Sequence, residues 1–198
     1  MGIGGWMFFA VVVVVILWAT LTYNALVRLR TRCRRAFVPV EIQLRRRHDL
    51  VPNLLETAKG YMAHELPTLD AVIATRSGAV QAALRAAATP GGIEAMRDLA
   101  RAEAALASAL ARLFAVAEAY PRLKANENML ALQDELTSTE NRIAFTRQGY
   151  NDAVMDYNLP RARFPISLVG GLFGFAPAEP LQATETVVER TTAPVASR

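Results

Sequence analysis

Few side chains in this sequence are placed for acid–base or metal chemistry, and His48 is the foremost. It falls on an apolar helical stripe, Val40, Leu44, His48, Val51, Leu55, Ala58 and Met62, at spacings of three and four. An imidazole there could ligate a metal or switch charge near neutral pH. The plainer reading is a core histidine satisfied by a carboxylate from another helix. Glu140 and Arg147 fall on a later stripe, Met129, Leu132, Leu136, Glu140, Ile143, Arg147, Tyr150, Val154 and Tyr157. Buried charges must be paired or they cost several kcal/mol. A polar layer of His48, Glu140 and Arg147, completed by Asn151 or by Glu103, is therefore expected to set helix register rather than perform catalysis.

Metal chemistry has weaker support. His64-Glu65 opens a zinc-protease-like phrase, but its second histidine would fall at Thr68. With two histidines in the chain and three protein ligands normal for catalytic zinc, no metal, cofactor or catalytic residue is assigned. Gly91-Gly92 follows a helix and lacks the Lys-Ser/Thr of a phosphate loop. Cys33 is the sole cysteine, which precludes an internal disulfide and fits a reducing compartment; no His or second Cys lies near it to activate the thiol. The alternative of a different class is a membrane-tethered enzyme or regulator that binds a metal or ligand through a His48/Glu140 cluster.

These residues hang from an unusual N-terminal stretch. No charged side chain occurs from Gly2 to Val27, and Trp6 to Leu21 is almost wholly apolar. About 20 such residues cross the hydrocarbon as a helix. Trp6, Trp18 and Tyr23 lie toward its ends, where interfacial aromatics belong. The stretch lacks the positive start and small-x-small cleavage site of a signal peptide. We expect an uncleaved signal anchor over residues 6–27, with 1–5 outside the cell. Arg28, Arg30, Arg32, Arg34 and Arg35 follow at once. The positive-inside bias makes them headgroup-facing and puts the C-terminal domain in the cytoplasm, under the cell membrane.

Charge also argues against nucleic acid. Eight of the 22 basic residues lie between 24 and 47 beside one acid, Glu41, leaving 14 basic against 17 acidic residues from His48 onward. A nucleic-acid binder would spread base over its folded face. Arg45-Arg46-Arg47 is an ordinary solvated or headgroup-facing run by this reading.

The positioning elements are all helical. Pro39 predicts a kink or break, and Pro52 a bend within the His48 stripe. A second helix starts at Pro67 with Leu69, Val72, Ile73, Val80 and Leu84 inward. Thr89-Pro90-Gly91-Gly92 is a connection. A third helix carries Ile93, Met96, Leu99, Leu106, Leu110, Leu113 and Phe114. The fourth and longest runs from about Arg122 to Asn158 and closes at Leu159-Pro160. Residues 164–175, FPISLVGGLFGF, are uncharged and too short to span a membrane. They either plug one end of the bundle, the favoured reading, or present Phe164, Leu172, Phe173 and Phe175 to a partner or the bilayer interface. From Ala176 to residue 198, composition predicts a disordered tail. The fold class is all-α: a transmembrane helix, then an antiparallel bundle of long, coiled-coil-like helices over residues 28–175.

Several phrases resemble one family. Tyr23-Asn24-x-Leu26-Val27, Val40-x-Ile42-Gln43-Leu44-x-Arg46-Arg47-His48-Asp49-Leu50-Val51-Pro52-Asn53-Leu54 and Lys59-Gly60-Tyr61 come first, with His64-Glu65 after them. Then follow Ala117-Glu118-Ala119-Tyr120-Pro121-x-Leu123-Lys124-Ala125-Asn126, Thr139-Glu140-Asn141-Arg142-Ile143, Tyr150-Asn151, Tyr157-Asn158, Phe164-Pro165 and Phe173-Gly174-Phe175. In order and content they resemble the LemA family over nearly all the chain to about residue 175. Pro39 and Thr75-Arg76-Ser77 depart from the family's usual phrasing. The resemblance implies a single-pass membrane protein with a helical-bundle domain and no established catalytic activity. It also implies association with other membrane proteins, a membrane zinc protease among them, and in one branch the shaping of magnetosome membranes. The expected function is thus a non-enzymatic scaffold or adaptor, with the lipid bilayer, membrane proteins and further copies of itself as partners.

Overall fold

A computed structural model describes residues 3–62 and 64–181. Seven helices follow in order: α1 (Ile3–Ala36), α2 (Val38–Lys59), α3 (Leu66–Ala88), α4 (Ile93–Ala117), α5 (Pro121–Lys124), α6 (Glu127–Ala162) and α7 (Ile166–Leu172). No strand occurs among the described residues.

The first part of α1 stands free of the bundle. From Trp6 to Leu21 its apolar side chains are mostly exposed, and the helix is long and apolar enough to cross a membrane. Packing begins at Thr22 and continues along one face through Leu26, Cys33 and Phe37, all buried. Burial raises the Cys33 thiol pKa, so it stays protonated and inert.

Pro39 interrupts the hydrogen-bond ladder without turning the chain. Phe37 keeps right-handed helical angles, φ −76° and ψ −26°, and Glu41 N–H donates to Phe37 O at 3.0 Å. Proline at the first turn of α2 cannot donate to the Arg35 carbonyl, which separates two helices that otherwise follow one path. The Phe37 ring packs edge-on against Tyr150, 5.5 Å between centroids.

α2 pairs with α3 and α6, α3 pairs with α4, and α1 lies on α6 and α7. α3 does not bury the residues its large apolar side chains suggest. Ile73 and Leu84 are exposed, whereas Ala79, Ala82 and Ala86 are fully buried with Leu69 and Val72. The small residues let α4 approach closely; periodicity weighted toward bulk selected the wrong face for the C-terminal half. α6 runs through Pro160 to Ala162, longer than its proline suggests, because the lost amide falls in the last turn. Its start is capped by Asn126, whose side chain accepts Met129 N–H at 3.1 Å.

The core has two parts. The far part gathers Leu50 to Met62 of the α2 region with α3, the second half of α4, Leu123, Met129 and Leu136. The part nearer the free segment of α1 gathers Leu26, Phe37, Leu44, Ala86, Leu99, Tyr150, Tyr157 and Val169. On α2 the boundary falls between Leu44 and Leu50, where Arg47 and His48 lie.

Candidate functional site

Arg47 and His48 enter the bundle side by side on α2, both buried, Arg47 to 3 % exposure. His48 Nε2 lies 2.8 Å from Glu103 Oε1, and Arg47 contacts the other Glu103 oxygen. The Arg47 guanidinium also reaches Glu140 on α6, whose side chain is half exposed. One carboxylate on α4 thus neutralises a buried arginine and accepts from a histidine, and the arginine bridges on to α6. The histidine Nε2 faces a carboxyl oxygen, and in the tautomer that places its proton on Nε2 it donates to Glu103.

His48 is uncharged in this setting. Burial is the largest cause, with repulsion from Arg47 and Arg76 adding to it against a smaller pull from Asp49, and the pKa falls from 6.5 to about 4. The group ties α2, α4 and α6 together.

The polar layer therefore differs from its expected membership. His48 partners Glu103 rather than Glu140; Glu140 partners Arg47. Arg147 lies half-buried along the groove wall outside this cluster, and Asn151 binds the chain after α7. Glu140 and Arg147 lie at the edge of the buried face of α6, where Thr139 and Ile143 occupy the inside. Arg47, expected in a solvated run, is the central cation. Arg45 and Arg46 do stay outward, on Glu41 and Glu135 at 3.3 and 2.7 Å. No signal within Arg45-Arg46-Arg47 marks the third member; its inward position follows from Glu103 on α4.

The cluster floors a groove of about 750 Å³ between α4 and α6, edged by Phe114, Gln133, Asn141 and Arg147. His64 is remote from it, exposed in the turn between α2 and α3. Among the described residues no three His, Cys, Asp or Glu side chains converge as a metal site.

A profile of the LemA family matches residues 36–196. The chain belongs to the LemA family. Two magnetosome proteins of Paramagnetospirillum magneticum, MamQ 1 and MamQ 2, are each 28% identical over 175 residues, covering 81% of this chain and 64% of theirs. The magnetosome protein MamQ of Magnetospirillum gryphiswaldense is 25% identical over 172 residues, 79% of this chain and 63% of its own. The chain thus spans a little under two thirds of the length of these relatives.

Two further LemA phrases acquire a physical meaning, Tyr150-Asn151 and Tyr157-Asn158. Asn158 and Ala178 exchange two hydrogen bonds, Nδ2 to O at 2.7 Å and N to Oδ1 at 3.0 Å. Asn151 and Leu181 do the same at 3.1 and 2.9 Å. Tyr157 donates to Ala176 O and Tyr150 to Glu179 O, each at 2.8 Å. Seven residues of α-helix advance about 10.5 Å; three residues of extended, proline-bearing chain advance about 9.3 Å. The two periods match, so Ala176 to Leu181 lies antiparallel along α6 as a strap. Glu179 adds an ion pair to Arg97 at 2.9 Å, and its amide donates to Gly91 O at 3.0 Å. Gly91, at φ +84°, would bring a Cβ to 3.1 Å from Ala178, so the strap closes over a position suited to glycine. The expected disordered tail is corrected for 176–181, because side chains on α6 satisfy its backbone; residues 182–198 lie outside the described ones.

The contact segment 164–175 divides by face. Val169, Gly170 and Phe175 are buried against α1 and α6, while Phe164, Leu168, Leu172 and Phe173 are exposed. Arg28, Arg30, Arg32, Arg34 and Arg35, the set expected to face headgroups, are all exposed. Arg32 reaches Asp156 at 3.5 Å, and the Arg30 guanidinium carbon lies 6.0 Å from the centre of the Phe175 ring.

Proposed function

We propose that this LemA chain is a membrane-anchored, non-enzymatic scaffold or adaptor that holds a helical bundle in a fixed attitude on the cytoplasmic face of the cell membrane. The observation that carries this reading is the joint at Phe37. A domain that needs only to stay near a bilayer can hang from a flexible linker. Here the apolar helix continues into a core helix of the bundle through a residue still helical and packed on Tyr150. Rotation of the anchor therefore rotates the bundle, which fixes the faces presented to neighbours. The exposed arginines on the anchor side suit anionic headgroups, each contributing about 1 kcal/mol, and their asymmetry supports the cytoplasmic placement. Partners in this reading are other membrane proteins, a membrane protease among them, or further copies that organise or shape the membrane.

The test is the mass and protein composition of the complex gently solubilised from native membranes. A large assembly of this chain alone supports self-association, and a defined complex with a second membrane protein supports an adaptor. A monomer without partners overturns the scaffold.

A further inference from the structure

We propose that α7 is an interfacial helix that, with Phe164 of the turn before it, inserts Leu168 and Leu172 into the bilayer beside the anchor. The proposal rests on α1 spanning the membrane and adds a second point of attachment. Its first support is the stripe. Leu168 and Leu172 are four apart on one side of α7, 63% and 82% exposed, and Phe164, in the turn just before the helix, is 80% exposed. The opposite side carries Val169 and Gly170, which are buried. An uncharged segment that spends its small residues on packing and leaves its largest aliphatic groups outward is built for an apolar medium.

Its second support is height. Phe173 and Phe175 meet the Tyr23 ring edge-on, with centroids 5.1 and 5.5 Å away. Tyr23 lies in the last turn and a half of the charge-free stretch, five residues before Arg28. If α1 crosses the bilayer, Tyr23 sits at the headgroup boundary, and α7, packed on it, sits there too. The exposed face of α7 then continues the lipid-facing surface of α1. Arg161 and Arg163 precede the segment and Arg28 and Arg30 lie on the neighbouring helix, whereas residues 164–175 contain no acid. Apolar side chains flanked by arginines suit an anionic interface. This surrounding charge and the continuity with α1 favour lipid over a protein partner.

The test uses the full chain, Cys33→Ala, reconstituted in phosphatidylethanolamine–phosphatidylglycerol vesicles. A single cysteine carrying an environment-sensitive fluorophore is placed at Leu172 or Leu168, at Val14 within α1, or at Ser138 on exposed α6. We expect labels at 168 and 172 to be blue-shifted and quenched by shallow lipid-borne quenchers several-fold more than the label at 138, with the label at 14 quenched by deep ones. Quenching at 168 and 172 equal to that at 138, while 14 remains buried in lipid, overturns the interfacial helix and leaves the anchor standing. A blue shift at 172 without lipid quenching, lost on dilution into excess vesicles, also overturns it and assigns the face to a second copy. A label at 14 exposed to water overturns the anchor and α7 with it.

Discussion

The His48 carbonyl accepts a hydrogen bond from Arg76 Nε at 2.7 Å. Within an unbroken α-helix that carbonyl would receive the amide of residue 52, but residue 52 is proline. Pro52 thus frees a part-buried acceptor on α2, and an arginine from α3 occupies it. The proline and the arginine form one device that joins α2 to α3 beside the buried cluster.

This relationship predicts a rescue. Arg76→Met should destabilise the bundle by about 1 kcal/mol by leaving a part-buried carbonyl without its protein donor. In a Pro52→Ala background, the restored amide can take the carbonyl, and the same substitution should cost distinctly less. Urea unfolding of the four proteins of this cycle in detergent gives the coupling. Equal costs of Arg76→Met in both backgrounds would show that the arginine acts elsewhere.

The neutral His48 predicts a loss of stability in mild acid. Its folded pKa, about 4, lies below the 6.5 of the free side chain. Between those values the unfolded chain binds a proton that the folded chain does not, so stability rises with pH. The contribution is complete above 6.5 and declines as pH falls toward 4. It amounts to at most about 3–4 kcal/mol, from roughly 1.4 kcal/mol per unit. His48→Gln keeps a donor for Glu103 and removes the titration. Its unfolding free energy should fall less than the parent's between pH 7 and 4.5, and parallel profiles would contradict the assignment.

The partner of His48 is decided by a second cycle. Stability coupling between His48→Gln and Glu103→Gln should exceed that between His48→Gln and Glu140→Gln, because Glu103 makes the contact and Glu140 is joined only through Arg47. Glu103→Ala should be severe, about 3–5 kcal/mol, since it strands a buried guanidinium. Arg47→Met in the same protein should recover part of that loss, which no surface role for Arg47 explains.

The local sequence made much of this legible. The charge-free stretch, the stripe through His48 and the prolines in the first turns of α3 and α5 carry their meaning in their own neighbourhoods. The misread features depend on partners distant in sequence. Arg47 is inward because Glu103, more than fifty residues on, meets it; nothing in Arg45-Arg46-Arg47 distinguishes the third member. Ala79, Ala82 and Ala86 are core because α4 comes close, which a scale that rewards bulk cannot register. Asn151 resembles a member of the polar layer until the chain after α7 returns along α6.

That returning chain supplies the last prediction. The two asparagines hold Ala178 and Leu181 by paired backbone bonds, and the two tyrosines hold the carbonyls of Ala176 and Glu179. Burial raises both tyrosine pKa values, so each hydroxyl keeps its proton and remains a donor at neutral pH. Asn158→Ala removes two bonds of about 1 kcal/mol each. Asn151→Ala removes the matching pair, and the double variant should release residues 176–181 while α6 stays helical. Hydrogen exchange on the full chain should then show amides 178, 179 and 181 losing protection and those of α6 keeping theirs. Asn158→Asp separates the parts of the bond. A carboxylate still accepts the Ala178 amide but repels its carbonyl, so protection should fall nearly as far as with alanine. Protection unchanged in the double variant would mean that the Arg97–Glu179 pair and the buried Leu181 suffice to seat the strap.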